Sequence, residues 1–261
     1  MVPATLGARQ RPASKEGAGA IVDIKETEIL GADAGSHWYY RSKAEALERC
    51  LRGVPVGTIL DVGAGSGFFS RHLLARTSAA AAYCVDPNYP REWHETTGGK
   101  PLAFVRETQG VDANLVLLMD VIEHVDDDVG LLREYVQKSR PDARFLISVP
   151  AFQWLWSAHD VFLGHRRRYT LAQLEHTVAT AGLEVIAGNY FFGAIFPLAV
   201  AVRMLRRRQA RESDTSSDLR PHSKPVNAAL YALCRGELAV MKHNRAFGLS
   251  IFCLARRSGA D

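Results

Sequence analysis

The sequence predicts an α/β protein on a doubly wound parallel sheet. Three observations carry this. The run Ile59-Leu60-Asp61-Val62-Gly63-Ala64-Gly65-Ser66-Gly67-Phe68-Phe69-Ser70 reads as strand, glycine-rich turn and helix start. From 58 to 150, short apolar runs alternate with helical patterns, which argues for β-α-β units. Two later apolar runs, like the first, carry an acid at or near their end: Ala81-Ala82-Tyr83-Cys84-Val85-Asp86 and Asn114-Leu115-Val116-Leu117-Leu118-Met119-Asp120. Ligands of such sheets sit beyond the strands' carboxyl ends.

The elements follow in order. Residues 1 to about 30 are rich in Ala, Gly, Pro and charge and predict a flexible arm. Residues 36–52 carry a helical pattern around Trp38-Tyr39-Tyr40. After the strand ending at Asp120 comes Val121-Ile122-Glu123-His124-Val125, then a helix over Val129 to Lys138. Arg144-Phe145-Leu146-Ile147-Ser148-Val149-Pro150 is a fifth strand. Thr170 caps a helix, with Gln173 at the capping-box position, and that helix stops near Gly182. Leu183 to Ile186 open a sixth strand. Tyr190 to Val202 is almost wholly apolar and is followed by Arg203, Arg206, Arg207, Arg208 and Arg211. Residues 209–225 are polar, Val226 to Met241 read as a helix, and Phe247 to Ala255 as a closing strand.

Composition sets bounds. A chain of 261 residues with 47% hydrophobic and 23% charged residues suits one large or two small globular domains. A net charge of +4 does not by itself call for nucleic acid. Cys50, Cys84, Cys234 and Cys253 are far apart, which speaks against disulfides or zinc and for a reducing cytoplasm. The N-terminus lacks an apolar signal-peptide core.

The glycine turn suits a nucleotide-like ligand, because glycine lets a ligand approach the backbone and the following helix presents unpaired N–H groups. A dinucleotide turn, G-x-G-x-x-G/A, keeps its last position small, and Phe68 stands there. The pattern is instead D-x-G-x-G-x-G from Asp61 to Gly67. That spacing, Asp86 after the second strand, D-x-x-E-H-V from Asp120 to Val125 and the fifth strand together resemble the class I S-adenosylmethionine-dependent methyltransferases. The resemblance is specific over about 36–190 and looser to 256.

The resemblance implies a Rossmann-like, seven-stranded sheet over residues 31–256, its antiparallel last strand inserted between the fifth and sixth, with an apolar and arginine-rich insertion around 190–225. It implies S-adenosyl-L-methionine as cofactor and S-adenosyl-L-homocysteine as product. Asp61, Gly63, Ala64, Gly65 and Gly67 would line that cofactor, Asp86 beside Pro87 would hold its ribose, and Asp120 with Val121 would flank it. An N-terminal helix lids the cofactor in similar proteins. Trp38 there could face the sulfonium by cation–π attraction, and Arg41 could pair with the carboxylate.

Methyl transfer from a sulfonium needs orientation and a dry pocket, plus a base if the acceptor starts protonated. No metal-ligand spacing is evident, so this reading has no metal. His124 is the first choice of base, with His159 or Asp160 as the other. The loop Trp154 to Thr170 resembles the W-S-x-x-D…G-H-x-R-R-Y-T run of a bacterial methyltransferase group. It is expected to hold the acceptor through Trp156, His165, Arg168 and Tyr169. The run after Tyr190, broken by Pro197, is too short to span a membrane. It reads either as a helix covering the sheet or acceptor pocket, or as a segment in peripheral contact with anionic lipid. The expected function is methyl transfer to an oxygen or nitrogen of a small-molecule acceptor, a specialised metabolite, a sugar or a lipid-linked compound, with no nucleic acid. The alternatives are an RNA or protein methyltransferase on the same fold, an NAD-dependent oxidoreductase, or a cofactor-binding module without catalysis.

Overall fold

The computed structural model describes residues 35–209 and 222–259, without the side chains of 206–209. The arm expected at 1–30 and much of the polar stretch at 209–225 lie outside the described residues.

Each apolar run forms its strand. β1 spans Thr58–Val62, β2 Ala81–Val85, β3 Trp93–Thr97, β4 Lys100–Val105, β5 Leu115–Met119, β6 Arg144–Pro150, β7 Leu183–Phe191 and β8 Ser250–Arg257. Among the described residues they make one sheet in the order β3-β4-β2-β1-β5-β6-β8-β7. β4, β2, β1, β5 and β6 pair in parallel. β8 runs antiparallel between β6 and β7, as expected of the last strand.

The sheet has eight strands, not seven. The extra one is β3, which turns through Gly98 and Gly99 to pair antiparallel with β4, Trp93 opposite Phe104 and Thr97 opposite Lys100. A two-residue Gly-Gly link between extended runs is a hairpin signal. This hairpin replaces the helix that strict alternation would put between β2 and β4.

Among the described residues the α-helices are α1 (Trp38–Cys50), α2 (Phe68–Arg76), α3 (Asp128–Lys138), α4 (Ala158–Leu163), α5 (Leu171–Thr180), α6 (Phe196–Gln209) and α7 (Lys224–Glu237). Alternate residues of each buried strand face opposite layers. Ile59, Leu115, Leu117 and Leu146 pack in one core with Leu47 of α1, Leu73 of α2 and Cys234 of α7. Leu60, Val116, Leu118 and Ile147 pack in the other with Leu132 of α3 and Leu174 of α5. The sheet is therefore wound on both faces.

Local chemistry sets the helix ends. The Thr170 and Gln173 side chains cap α5 reciprocally, with Thr170 N–H donating to Gln173 Oε1 at 2.8 Å. The apolar run after Tyr190 is divided: Tyr190 and Phe191 finish β7, and α6 starts at Phe196 with Pro197 in its first turn, where a missing N–H costs nothing. Among the described residues no helix is long and apolar enough to cross a membrane.

Gly67 caps α2 in the left-handed region at φ 73°. A Cβ there would lie 2.8 Å from the Phe104 ring and 3.2 Å from Cys84 Sγ. Gly67→Ala is thus expected to cost about 2–4 kcal/mol, summing left-handed strain and overpacking. Urea unfolding measures it, and a cost under about 1 kcal/mol would mean the turn relaxes freely.

Candidate active site

The site lies where the strand order reverses, beyond the carboxyl ends of β2, β1 and β5. Gly63 N–H donates to Val85 O at 2.7 Å, and Gly65 N–H to Asp86 Oδ2 at 3.3 Å. Tyr89 donates its hydroxyl to Gly65 O at 2.8 Å. Asp86 is fully buried, and its Oδ1 also accepts from Asn88 N–H at 2.9 Å. Asp61 is buried inside β1, where it accepts from Ser70 Oγ at 2.7 Å and ties α2 to the strand. Gly63 backs onto Val121, so the turn after β1 and the segment after β5 touch.

Among the described residues, three that are not glycine take positive φ: Asp120 at 58°, Phe152 at 59° and Phe192 at 63°. They follow β5, β6 and β7 on the same edge. Left-handed non-glycine residues are strained and gather at functional sites.

A cavity of about 260 Å³ opens at this edge. Its polar end holds Asp120, Glu123, His159, His165 and Arg168. Its apolar wall is Ile195, Leu198, Ala199 and Val202 at or in α6, with Leu230 of α7. Trp38 and Tyr39 of α1 line it too.

Under the cavity, the fully buried Lys43 forms an ion pair with Asp120 and donates to Tyr39 Oη at 3.2 Å. Burial pulls the ammonium's pKa down, but Asp120 and Tyr39 outweigh it and hold Lys43 above its ordinary value. Glu123 sits beside this pair, fully buried, with no hydrogen-bond partner for either carboxylate oxygen. Burial first, and the Asp120 charge second, push its pKa well above the carboxylate range.

Asp160 organises the acceptor loop. Its carboxylate accepts from Arg168 Nε at 2.6 Å and Nη2 at 3.0 Å, and from Ser157 N–H at 2.8 Å. It also meets His165 Nδ1 at 2.8 Å. Burial acts to raise its pKa, and His165 with Arg168 overcomes that, leaving the carboxyl well below its usual range.

Of the residues singled out from sequence, the structure brings Trp38, Asp120, His159, His165 and Arg168 to the cavity. It places Gly63, Ala64, Gly65, Gly67, Asp86 and Val121 on the adjoining turns, with Pro87 exposed beside them. Others lie elsewhere. Arg41 is exposed and stacks 3.8 Å over the Tyr231 ring, away from the cavity wall. Tyr169 is buried and donates to Asp128 Oδ2 at 2.7 Å, anchoring the loop. Asp160 is fully buried behind His165 and Arg168, and neither it nor Trp156 lines the cavity. His124 is buried against His165, ring centroids 4.7 Å apart. Lys43 went unnoticed in the sequence, Glu123 was left without a role, and the apolar run after Tyr190 was read as a helix over the sheet or the acceptor pocket, whose residues Ile195, Leu198, Ala199 and Val202 line the cavity. The sequence also showed no metal-ligand spacing, yet folding brings ligand atoms of Glu123, His124 and His165 within 4.8 Å of one another.

The family model described as a methyltransferase domain matches residues 36–187. No curated protein matches the chain in sequence. A candidate methyltransferase of Haloferax volcanii, solved with the Trm112 methyltransferase activator, is similar with a TM-score of 0.54 and 17% identity, over 93% of this chain and 98% of that one. Phosphoethanolamine N-methyltransferase 2 of Haemonchus contortus, solved with S-adenosyl-L-methionine, gives 0.51 and 16%, over 90% and 56%. The 4+2 cyclase SpnF gives 0.54 and 12%, over 93% and 97%. At such identities the likeness shows the fold. The fold and this strand edge define a class I methyltransferase, the class whose methyl donor is S-adenosylmethionine. Within it, the chain belongs to the methyltransferase domain family.

Proposed function

We propose that this enzyme methylates an oxygen or nitrogen of a small amphiphilic acceptor held in the cavity beside α6. One observation carries the reading: the cavity is lined both by polar side chains around Asp120, on the carboxyl edge of β5, and by apolar side chains of α6 and α7. An acceptor with one polar group and an alkyl or ring portion suits that shape. Leu198, Met204 and Leu205 stand exposed on α6, which supports an apolar acceptor, lipid-linked compounds included, and peripheral contact with a lipid surface.

The residues present fit the donor. At Gly67 a side chain would collide, and Gly63 and Gly65 keep the turn bare. Asp86 would hold the ribose, the turn from Gly63 to Gly67 the backbone-facing side, and Asp120 with Val121 the opposite flank. Trp38 and Tyr39 would face the sulfonium. The donor supplies a methyl group that is already activated. The chain's own work is orientation and exclusion of water by α1, α6 and α7. His159, on the cavity wall, is better placed to take a proton than Asp160, whose carboxylate is fully engaged.

The arginines at 166–168 do not favour a nucleic-acid acceptor. Arg166 donates to His124 O and Asp126, Arg167 to Val125 O, Asp126 O and Asp128, and Arg168 to Asp160. Free cysteines, all buried or half-buried, support a reducing, cytoplasmic setting.

Calorimetric titration with S-adenosylmethionine, its demethylated product and NAD tests the donor. Binding of the first two and not the third is expected. Asp86→Ala should weaken it about tenfold or more, since an unmade hydrogen bond to a charged group is worth about 1.5–3 kcal/mol. Labelled donor with a panel of hydroxylated and amino compounds, read by mass spectrometry, then tests transfer. Tight NAD binding with no response to the sulfonium would sink the assignment.

A further inference from the structure

We propose that Glu123, His124 and His165 form a binding site for one divalent first-row transition-metal ion at the polar end of the cavity. Their ligand atoms lie within 4.8 Å of one another. Cis ligands on a shell of about 2.1 Å stand about 3 Å apart, so small side-chain rotations close the set.

Two buried groups aim at this point with nothing to bond. Both Glu123 oxygens lack a hydrogen-bond partner, in a residue with no exposed surface. His165 Nε2 lacks one too, in a side chain that is 5% exposed. Buried polar atoms without partners are rare, and each calls for a cause such as an absent ion. Nearby cations do not serve Glu123: Lys43 bonds Asp120 and Tyr39, and Arg168 bonds Asp160 and Ala151 O.

The surroundings are built as metal sites are. His165 directs Nδ1 to Asp160 at 2.8 Å, which leaves Nε2 for an ion. Such a carboxylate–histidine pair fixes the ring and raises its basicity. Asp160 is in turn fixed by Arg168 and Ser157. Two imidazoles and one carboxylate suit iron, cobalt or zinc better than magnesium or calcium, which take oxygen ligands. Three protein ligands leave positions open, as in reactive rather than structural sites. Glu123 and His165 both line the cavity, so those positions face the acceptor. Resting on the methyl-transfer reading, this narrows the acceptor to one with an oxygen that the ion can hold and acidify.

The test uses the full chain, stripped of metal and titrated with Co²⁺ by absorption and with Zn²⁺ by calorimetry. One equivalent of each is expected. Glu123→Gln and His165→Asn should each weaken Co²⁺ by about 100-fold or more, beyond what loss of a supporting partner costs. His94→Ala, at an exposed histidine, should change nothing. Circular dichroism confirms that each variant folds. Should one not fold, Cu²⁺-loaded wild type is read by electron spin-echo modulation, and two imidazole signals are expected. No stoichiometric binding, binding retained in both variants, or fewer than two imidazoles overturns the site. S-adenosylmethionine binding is measured on the same samples. Donor bound without metal removes only this site, and metal bound without donor removes only the methyl-transfer reading.

Discussion

Asp160→Ala is expected to lower stability by about 3–5 kcal/mol, the range for removing one partner of a buried ion pair. For a domain of this size that is roughly 6–20 °C in Tm. Sequence placed Asp160 among the possible bases, and a base can be removed without unfolding anything. The structure gives it another role. The Arg168 side chain is 3% exposed, and Asp160 accepts two of its N–H groups. Without the carboxylate, the Arg168 side chain keeps Ala151 O, at 3.1 Å, as its acceptor among the described residues. The same change uncaps α4 at Ser157 and frees the His165 ring. Urea unfolding measures the cost. Asp160→Ala combined with Arg168→Leu should cost less than the sum of the two, because the double variant buries no orphaned charge. A variant of wild-type stability and no turnover would instead make Asp160 the base.

What was legible in the sequence was local. The strand, glycine turn and helix start from Ile59 to Ser70 are contiguous, and so are Thr170 and Gln173 of the capping box. Both appear where the sequence puts them. β3 was not read because Trp93-His94-Glu95-Thr96-Thr97 is an edge strand with no fully buried residue, so it makes no apolar run. Its signal was Gly98-Gly99.

The site was legible as a set of segments and not as a set of contacts. Arg41 and Lys43 differ by two helix positions, about 200° around α1 at 3.6 residues per turn. One stacks outside on Tyr231 and the other is buried on Asp120, 77 residues away. A lysine inside a helical pattern reads as solvated until its partner is known. Glu123 and His165 belong to different loops, so no spacing rule joins them. The acceptors of Arg166, Arg167 and Arg168 lie on two other segments, 124–128 and 151–160, which a run of three arginines does not reveal.

The Lys43–Asp120 pair should respond asymmetrically to the loss of its partners. Asp120→Asn is the cleaner change at Asp120, because asparagine tolerates the positive φ of 58° that alanine resists. It leaves the Lys43 ammonium with no exposed surface and without the carboxylate it bonds, at an expected cost of about 3–5 kcal/mol. Lys43→Met leaves the opposite orphan. The Asp120 side chain is 23% exposed at the cavity, where water can solvate it, and Ser148 Oγ still donates to it at 3.4 Å. That cost should be about 1–3 kcal/mol, the desolvation penalty of an unpaired group. The double variant should fall near Lys43→Met alone, since replacing a buried pair with an apolar side chain and an amide leaves no charge to strand. Urea unfolding of the three proteins decides it. If Lys43→Met proved the costlier single change, Asp120 would be the member that depends on its partner, and the floor of the cavity would be drier than its exposure implies.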